Sequence, residues 1–101
     1  MNKASSDGWT SLITASYYGH ADIARALLAA GADVNAASNR GWTALMCASC
    51  FGCIEIVRDL LAAGADKHAL RTNGETAHTL AGHRGTDASA PAIRALLAAA
   101  P

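Results

Sequence analysis

A fixed interval of 33 residues runs through this chain and constrains its fold more than any local pattern does. Gly8-Trp9-Thr10 returns as Gly41-Trp42-Thr43 and, more loosely, as Gly74-Glu75-Thr76, each step 33 residues. Gly19, Gly52 and Gly85 keep the same interval, and Ala29-Ala30-Gly31-Ala32-Asp33 comes back as Ala62-Ala63-Gly64-Ala65-Asp66. Registered self-similarity on this scale marks an array of stacked units, so the copies must be read before any single element is assigned.

Each copy carries the signals of two short helices. Thr10, Thr43 and Thr76 suit helix N-caps, their hydroxyls accepting from otherwise unpaired amides of the first turn. A helix over about 10–17 follows in the first copy, with Leu12 and Ala15 on one face, and Gly19 or Gly52 supplies the positive φ that stops it. A second helix is expected over about 22–29 and 55–62, where Ile23, Leu27 and Leu28, or Ile56, Leu60 and Leu61, fall at core spacing. Gly31 and Gly64 end these helices in the same left-handed way, and the polar stretches 33–40 and 66–73 suit extended turns into the next copy. One helix pair cannot bury its own apolar face, so the copies have to stack.

Composition agrees with short, closely packed helices. The hydrophobic fraction of the 101 residues is 51%, but alanine supplies much of it and only five residues are aromatic. Alanine favours helix and lets helices approach closely, whereas an ordinary globule built from it would have a thin core. Eight basic and eight acidic residues cancel to a net charge of +0, which lacks the basic footprint of a nucleic-acid or membrane-surface binder. The apolar runs are too short to span a bilayer, and the start Met1-Asn2-Lys3-Ala4-Ser5 has no apolar signal region. Three cysteines cannot all pair within one chain, so reduced thiols and an intracellular, cytoplasmic location are expected.

The third copy departs from the pattern. Between Gly85 and Leu96-Leu97 it has three more residues than its counterparts, around Thr86-Asp87-Ala88. Pro91 falls near the start of its second helix, where a missing amide costs little. After Ala98-Ala99-Ala100 the sequence reaches Pro101 with no Gly-Ala-Asp, as expected of a terminal repeat. At the other end Asn2 is in register with Asn35, so no separate N-terminal cap is expected.

The period, with Gly-x-Thr, Leu-Leu-x-x-Gly-Ala-Asp and the following Asn35, resembles the ankyrin repeat over essentially the whole chain. The family's Thr-Pro-Leu-His segment stands here as Thr10-Ser11-Leu12-Ile13, Thr43-Ala44-Leu45-Met46 and Thr76-Ala77-His78-Thr79, so proline and histidine have left their usual places. The resemblance implies an all-α solenoid of three helix-turn-helix units with short β-hairpin or turn fingers. It implies a single domain, 1–101, with repeats at about 7–39, 40–72 and 73–101. It also implies a non-enzymatic module with no cofactor, whose fingers and inner helices bind another protein on a concave face.

Carried over position by position, that face is Ala4, Ser6, Asp7, Trp9, Tyr17 and Tyr18 in the first unit. In the second it is Ala37, Asn39, Arg40, Trp42, Cys50 and Phe51; in the third, Leu70, Thr72, Asn73, Glu75, His83 and Arg84. All five aromatics of the chain fall in this set, while the expected core positions carry Ala, Leu, Ile, Val, Met and Cys. Trp, Tyr and Arg dominate binding hot spots, so the distribution has the composition of an interface. The plainer alternative is that the rings brace neighbouring fingers and shield a helix end. These eighteen positions fall short of the roughly 20–30 residues a side of a standard interface and would rarely all engage, so weak to moderate affinity is expected.

Other chemistries compete poorly. Cys47, Cys50 and Cys53 have a Cys-x-x-Cys-x-x-Cys spacing used by iron–sulfur sites. In the repeat register they point different ways, and there is no fourth cysteine, so they read as small buried or half-buried residues with Cys50 the most exposed. His20 suits a structural hydrogen bond, His78 and His83 do not share a helical face, and His68 is a turn residue. No catalytic triad and no phosphate loop can be assigned. Asp22 and Glu55 open the second helices at the positive dipole end. Arg25, Arg58 and Arg94 hold one repeated position and are expected as a solvated stripe. A rival to partner binding is self-association, through an apolar end formed by Leu12, Ile13 and Ile23; a segment of a longer scaffold would explain the same missing cap.

Overall fold

A computed structural model describes residues 8–81 and 90–99. Threonine starts the first helix of every unit. The Thr10 hydroxyl accepts from the Ile13 amide at 3.2 Å and the Thr43 hydroxyl from Met46 at 3.2 Å. At Thr76 the bond is reciprocal, because the Thr79 hydroxyl accepts in turn from the Thr76 amide at 2.8 Å. The helices that follow are α1 Ser11–Tyr18, α2 Ala21–Ala29, α3 Ala44–Cys50, α4 Ile54–Ala62, α5 Ala77–Leu80 and α6 Ala90–Ala99. Gly19, at φ 74°, ends α1, and the next amide, His20, reaches back to the Ala15 carbonyl at 2.9 Å.

The helices lie in two layers, α1–α3–α5 inside and α2–α4–α6 outside, each first helix packing on its own second helix. Flanked by α1, α4 and α5, all seven residues of α3 are buried. Leu45, Met46 and Cys47 from α3, with Ile56, Val57 and Leu60 from α4, form the middle of one continuous core. Between units, Asn35 accepts from the Asp66 amide at 2.7 Å and donates to the Gly64 carbonyl at 3.4 Å. Lys67 likewise reaches the Leu97 carbonyl at 2.9 Å, in the last turn of α6. Among the described residues no helix is long and apolar enough to cross a membrane. The insertion around Thr86-Asp87-Ala88 lies outside the described residues.

Several expectations need correction. Ile23, expected in the core, is 53% exposed, because no helix of the described residues covers that side of α2. Its counterpart Ile56 is buried by the unit before it. Leu12 and Ile13 are both fully buried, so they form no apolar end. On that end Ser11, Thr14 and Tyr18 are exposed, where the same register positions in the second unit are Ala44, Cys47 and Phe51. Among the described residues the first unit therefore presents hydroxyls where the second unit presents apolar atoms to a neighbour. Arg25 is no merely solvated residue: it bridges to Asp59 at 2.7 Å and Glu55 at 3.4 Å, linking two outer helices. The pairs are solvent-exposed and add little stability.

Burial also settles the character of the thiols. None of the three forms a disulfide, and no group of three or more His, Cys, Asp or Glu among the described residues is arranged to hold a metal ion. Burial, reinforced by the neighbouring Cys50, pushes the Cys47 thiol up to about 12, and burial raises Cys53 as well. Such thiols stay protonated and unreactive at neutral pH.

Burial yields three predictions. Leu60→Ala should cost about 2–5 kcal/mol and loosen the whole stack in urea unfolding, because Leu60 is fully buried mid-stack. Leu70→Ala, at a side chain 60% exposed, should stay within about 0.5 kcal/mol. Cys47 gives a pH window. In the unfolded chain it ionises near the ordinary value of 9.0, but in the fold only near about 12. The stabilisation from the neutral buried thiol is thus full below the first value and lost as pH climbs to the second. Melting temperature should fall more steeply through that alkaline window in the wild type than in Cys47→Ala; parallel curves would contradict the assignment.

Candidate partner-binding groove

The groove forms where fingers meet inner helices. In the second finger the Ser38 amide donates to the Trp42 carbonyl at 2.8 Å and the Gly41 amide to the Ser38 carbonyl at 2.9 Å. Ala37 and Thr43 pair as an antiparallel bridge, and the Trp42 amide donates to the Ser38 hydroxyl at 3.1 Å. The third finger repeats the turn, the Arg71 amide donating to the Glu75 carbonyl at 2.9 Å. Gly41 matters twice. Its φ of 82° is left-handed, and a Cβ there would lie 2.8 Å from the Arg71 Cα. The two fingers touch at this point, where the Thr72 amide donates to the Arg40 carbonyl at 3.1 Å. Trp42, next along the chain, is held by that contact.

Register shapes the space. Tyr17 projects from α1 at the position α3 fills with the small Cys50, and Tyr18 corresponds to Phe51. The Tyr17 ring meets Trp9 edge-on at 5.7 Å, Tyr18 at 4.9 Å and Phe51 at 4.7 Å. Beside the small Cys50 a groove of about 400 Å³ opens, lined by Trp9, Tyr17, Trp42, Cys50 and Phe51, with Arg71, Glu75 and Leu80. Across from these rings the Arg71 guanidinium stacks 4.2 Å above the Trp42 ring. The same guanidinium pairs with Glu75, whose carboxylate also accepts from the Asn73 amide group at 2.6 Å.

Six of the residues singled out from sequence therefore come together: Trp9, Tyr17, Trp42, Cys50, Phe51 and Glu75. Asn39 and Arg40 line an adjoining hollow of about 460 Å³ with Ser38, Trp9 and Trp42. Tyr18, 66% exposed, lies at the outer end with Thr14 and stacks on His20 at 6.3 Å. Thr72, Asn73 and Leu70 are exposed on the third finger, and Ala37 is exposed beside its backbone bridge. Ala4, Ser6, Asp7, His83 and Arg84 lie outside the described residues.

The geometry also corrects the sequence reading. Cys50 is only 4% exposed, because the central inner helix is covered on both sides; it forms floor, not surface. Trp9, Trp42 and Phe51 are half-buried and pack against the core, so the aromatics brace the fold as well as facing the groove. Glu75 and Asn73 are committed to each other. His20 makes no side-chain capping bond for α2. Arg71 and Leu80 were not singled out. The spacing of Arg71 and Glu75, four residues apart across one turn, was the signal for the first; Leu80 shares a register position with the core residue Cys47 and carried none.

A family profile described as ankyrin repeats in three copies matches residues 1–71. None of the curated proteins compared with the chain matches it. The matched stretch takes in both complete copies and stops just short of the divergent third, and on that footing the chain belongs to the ankyrin-repeat family.

Proposed function

We propose that this chain is a non-enzymatic protein-interaction module whose partner docks on the concave face between fingers and inner helices. Ankyrin repeats are generally protein–protein interaction modules, and the family is generally without catalytic activity. The observation that carries the finer reading is the convergence of four rings, Trp9, Tyr17, Trp42 and Phe51, on one groove. The fully buried side chains, by contrast, are aliphatic, sulfur-bearing or hydroxyl-bearing. Rings that face a groove give a partner large, stiff contact area with little entropy to lose. The three units, about 7–39, 40–72 and 73–101, act as one domain in this reading, with Ser6, Asp7, His83 and Arg84 extending the surface along the same register. An intracellular location accords with three thiols that form no disulfide.

Self-association has one observation in its favour, the exposed Ile23 beside a hollow of about 310 Å³ at the outer end of the stack. Ser11, Thr14 and His20 line the same hollow, and their polar atoms suit water better than a second apolar face.

The concave-face reading is tested by Trp42→Ala and Tyr18→Ala, each expected to weaken partner binding by about 1–3 kcal/mol with helical circular dichroism intact. Unchanged affinity in both variants would rule this face out. In sedimentation velocity the chain alone should run at one concentration-independent coefficient; a coefficient that climbs with loading would favour self-association instead.

A further inference from the structure

We propose that the groove selects a peptide segment in which a bulky apolar side chain is flanked by a carboxylate, an inference that rests on the concave-face reading. Trp9 and Trp42 stand between two hollows and line both of them. On one side the space of about 400 Å³ is walled by Tyr17, Phe51 and Leu80, and it is large enough for a leucine or an aromatic ring. On the other side the walls are Ser38, Asn39 and Arg40. An occupant crossing the two tryptophans passes from a ring-lined hollow that also holds the Arg71–Glu75 pair to one that holds Arg40.

Charge decides which polar group it carries. Three charged residues line the two hollows: Arg40, Arg71 and Glu75. The Arg71 and Glu75 charges cancel, for the guanidinium lies on Trp42 and pairs with that carboxylate. The Arg40 side chain makes no hydrogen bond or ion pair among the described residues; only its carbonyl is engaged, by Thr72. The remaining acids among the described residues are occupied elsewhere. Asp22, Glu55 and Asp59 surround Arg25 on the outer helices, and Asp33 and Asp66 accept from backbone amides in the loops. A carboxylate on the Arg40 side thus meets a cation uncompensated among the described residues, whereas a lysine there meets repulsion with no acid among those residues to relieve it. A single arginine suits one negative charge; phosphate recognition typically draws on a cluster of them.

The test is an array of short peptides holding a leucine–phenylalanine pair flanked by glutamate, by serine or by lysine, probed with the full chain. Binding should rank glutamate above serine above lysine, with about a fivefold gap between the outer two that narrows at high salt. Arg40→Glu, an exposed substitution that keeps the backbone bond to Thr72, should invert the order. Trp42→Ala should weaken binding to all three. Equal binding across the arms, or an order that Arg40→Glu leaves in place, would overturn the charge inference while loss in Trp42→Ala still upheld the groove. No binding at all, or binding indifferent to Trp42→Ala, would overturn both.

Discussion

The enclosure of α3 ties this molecule together. A seven-residue helix in water is far too short to hold itself, and what keeps it helical is packing on both flanks plus α4 behind. That packing is close because the facing residues are Ala44, Ala48, Cys47 and Ser49, which keep the helices near one another. The same closeness brings the fingers within contact, so Gly41 has no room for a side chain beside Arg71. A constraint in the core thus reaches the surface and fixes the direction in which Trp42 leaves the backbone.

The sequence announces the caps and stops plainly because those depend on one residue each. Thr10, Thr43 and Thr76 cap as their hydroxyls require, and Gly19, Gly31, Gly52 and Gly64 take the left-handed conformation in which other residues are strained. Burial is less legible, since it depends on what lies beyond the unit. Ile23 and Ile56 are the same residue in the same register, yet one is exposed and one enclosed, and among the described residues what separates them is a neighbouring helix beside Ile56 and none beside Ile23. Cys50 failed for the converse reason: the family position faces a partner, but here a small side chain sinks below the rings around it. Arg71 escaped notice because its role comes from a ring 29 residues earlier in the chain.

The first and second units differ by few atoms on one side. At positions 11, 14 and 18 the first unit carries Ser, Thr and Tyr, where the second carries Ala, Cys and Phe. Thr14 turns its hydroxyl onto the Thr10 carbonyl at 3.0 Å, so the polar atom is paired even while its side faces water. Exchanging a methyl hydrogen, a thiol and a ring hydrogen for hydroxyls lowers the drive to stack another helix there.

The groove has a similar origin in a difference between copies. A perfect repeat would place identical side chains along the inner helices and leave a uniform ridge. Here Tyr17 in one copy faces Cys50 in the next, and the loss of a ring at the second position makes a hollow that the first ring walls. Tyr17 then leans on Phe51 instead of packing into the core, and Glu75, standing where a third tryptophan would be, holds the Arg71 that lies on Trp42. Stability asks the copies to be alike at their landmarks and interior, and recognition asks them to differ at their faces. In this chain the glycines and capping threonines meet the first demand; the alternation of large and small residues at positions 17 and 50, and of indole and carboxylate at 42 and 75, shapes the groove on which the proposed recognition rests.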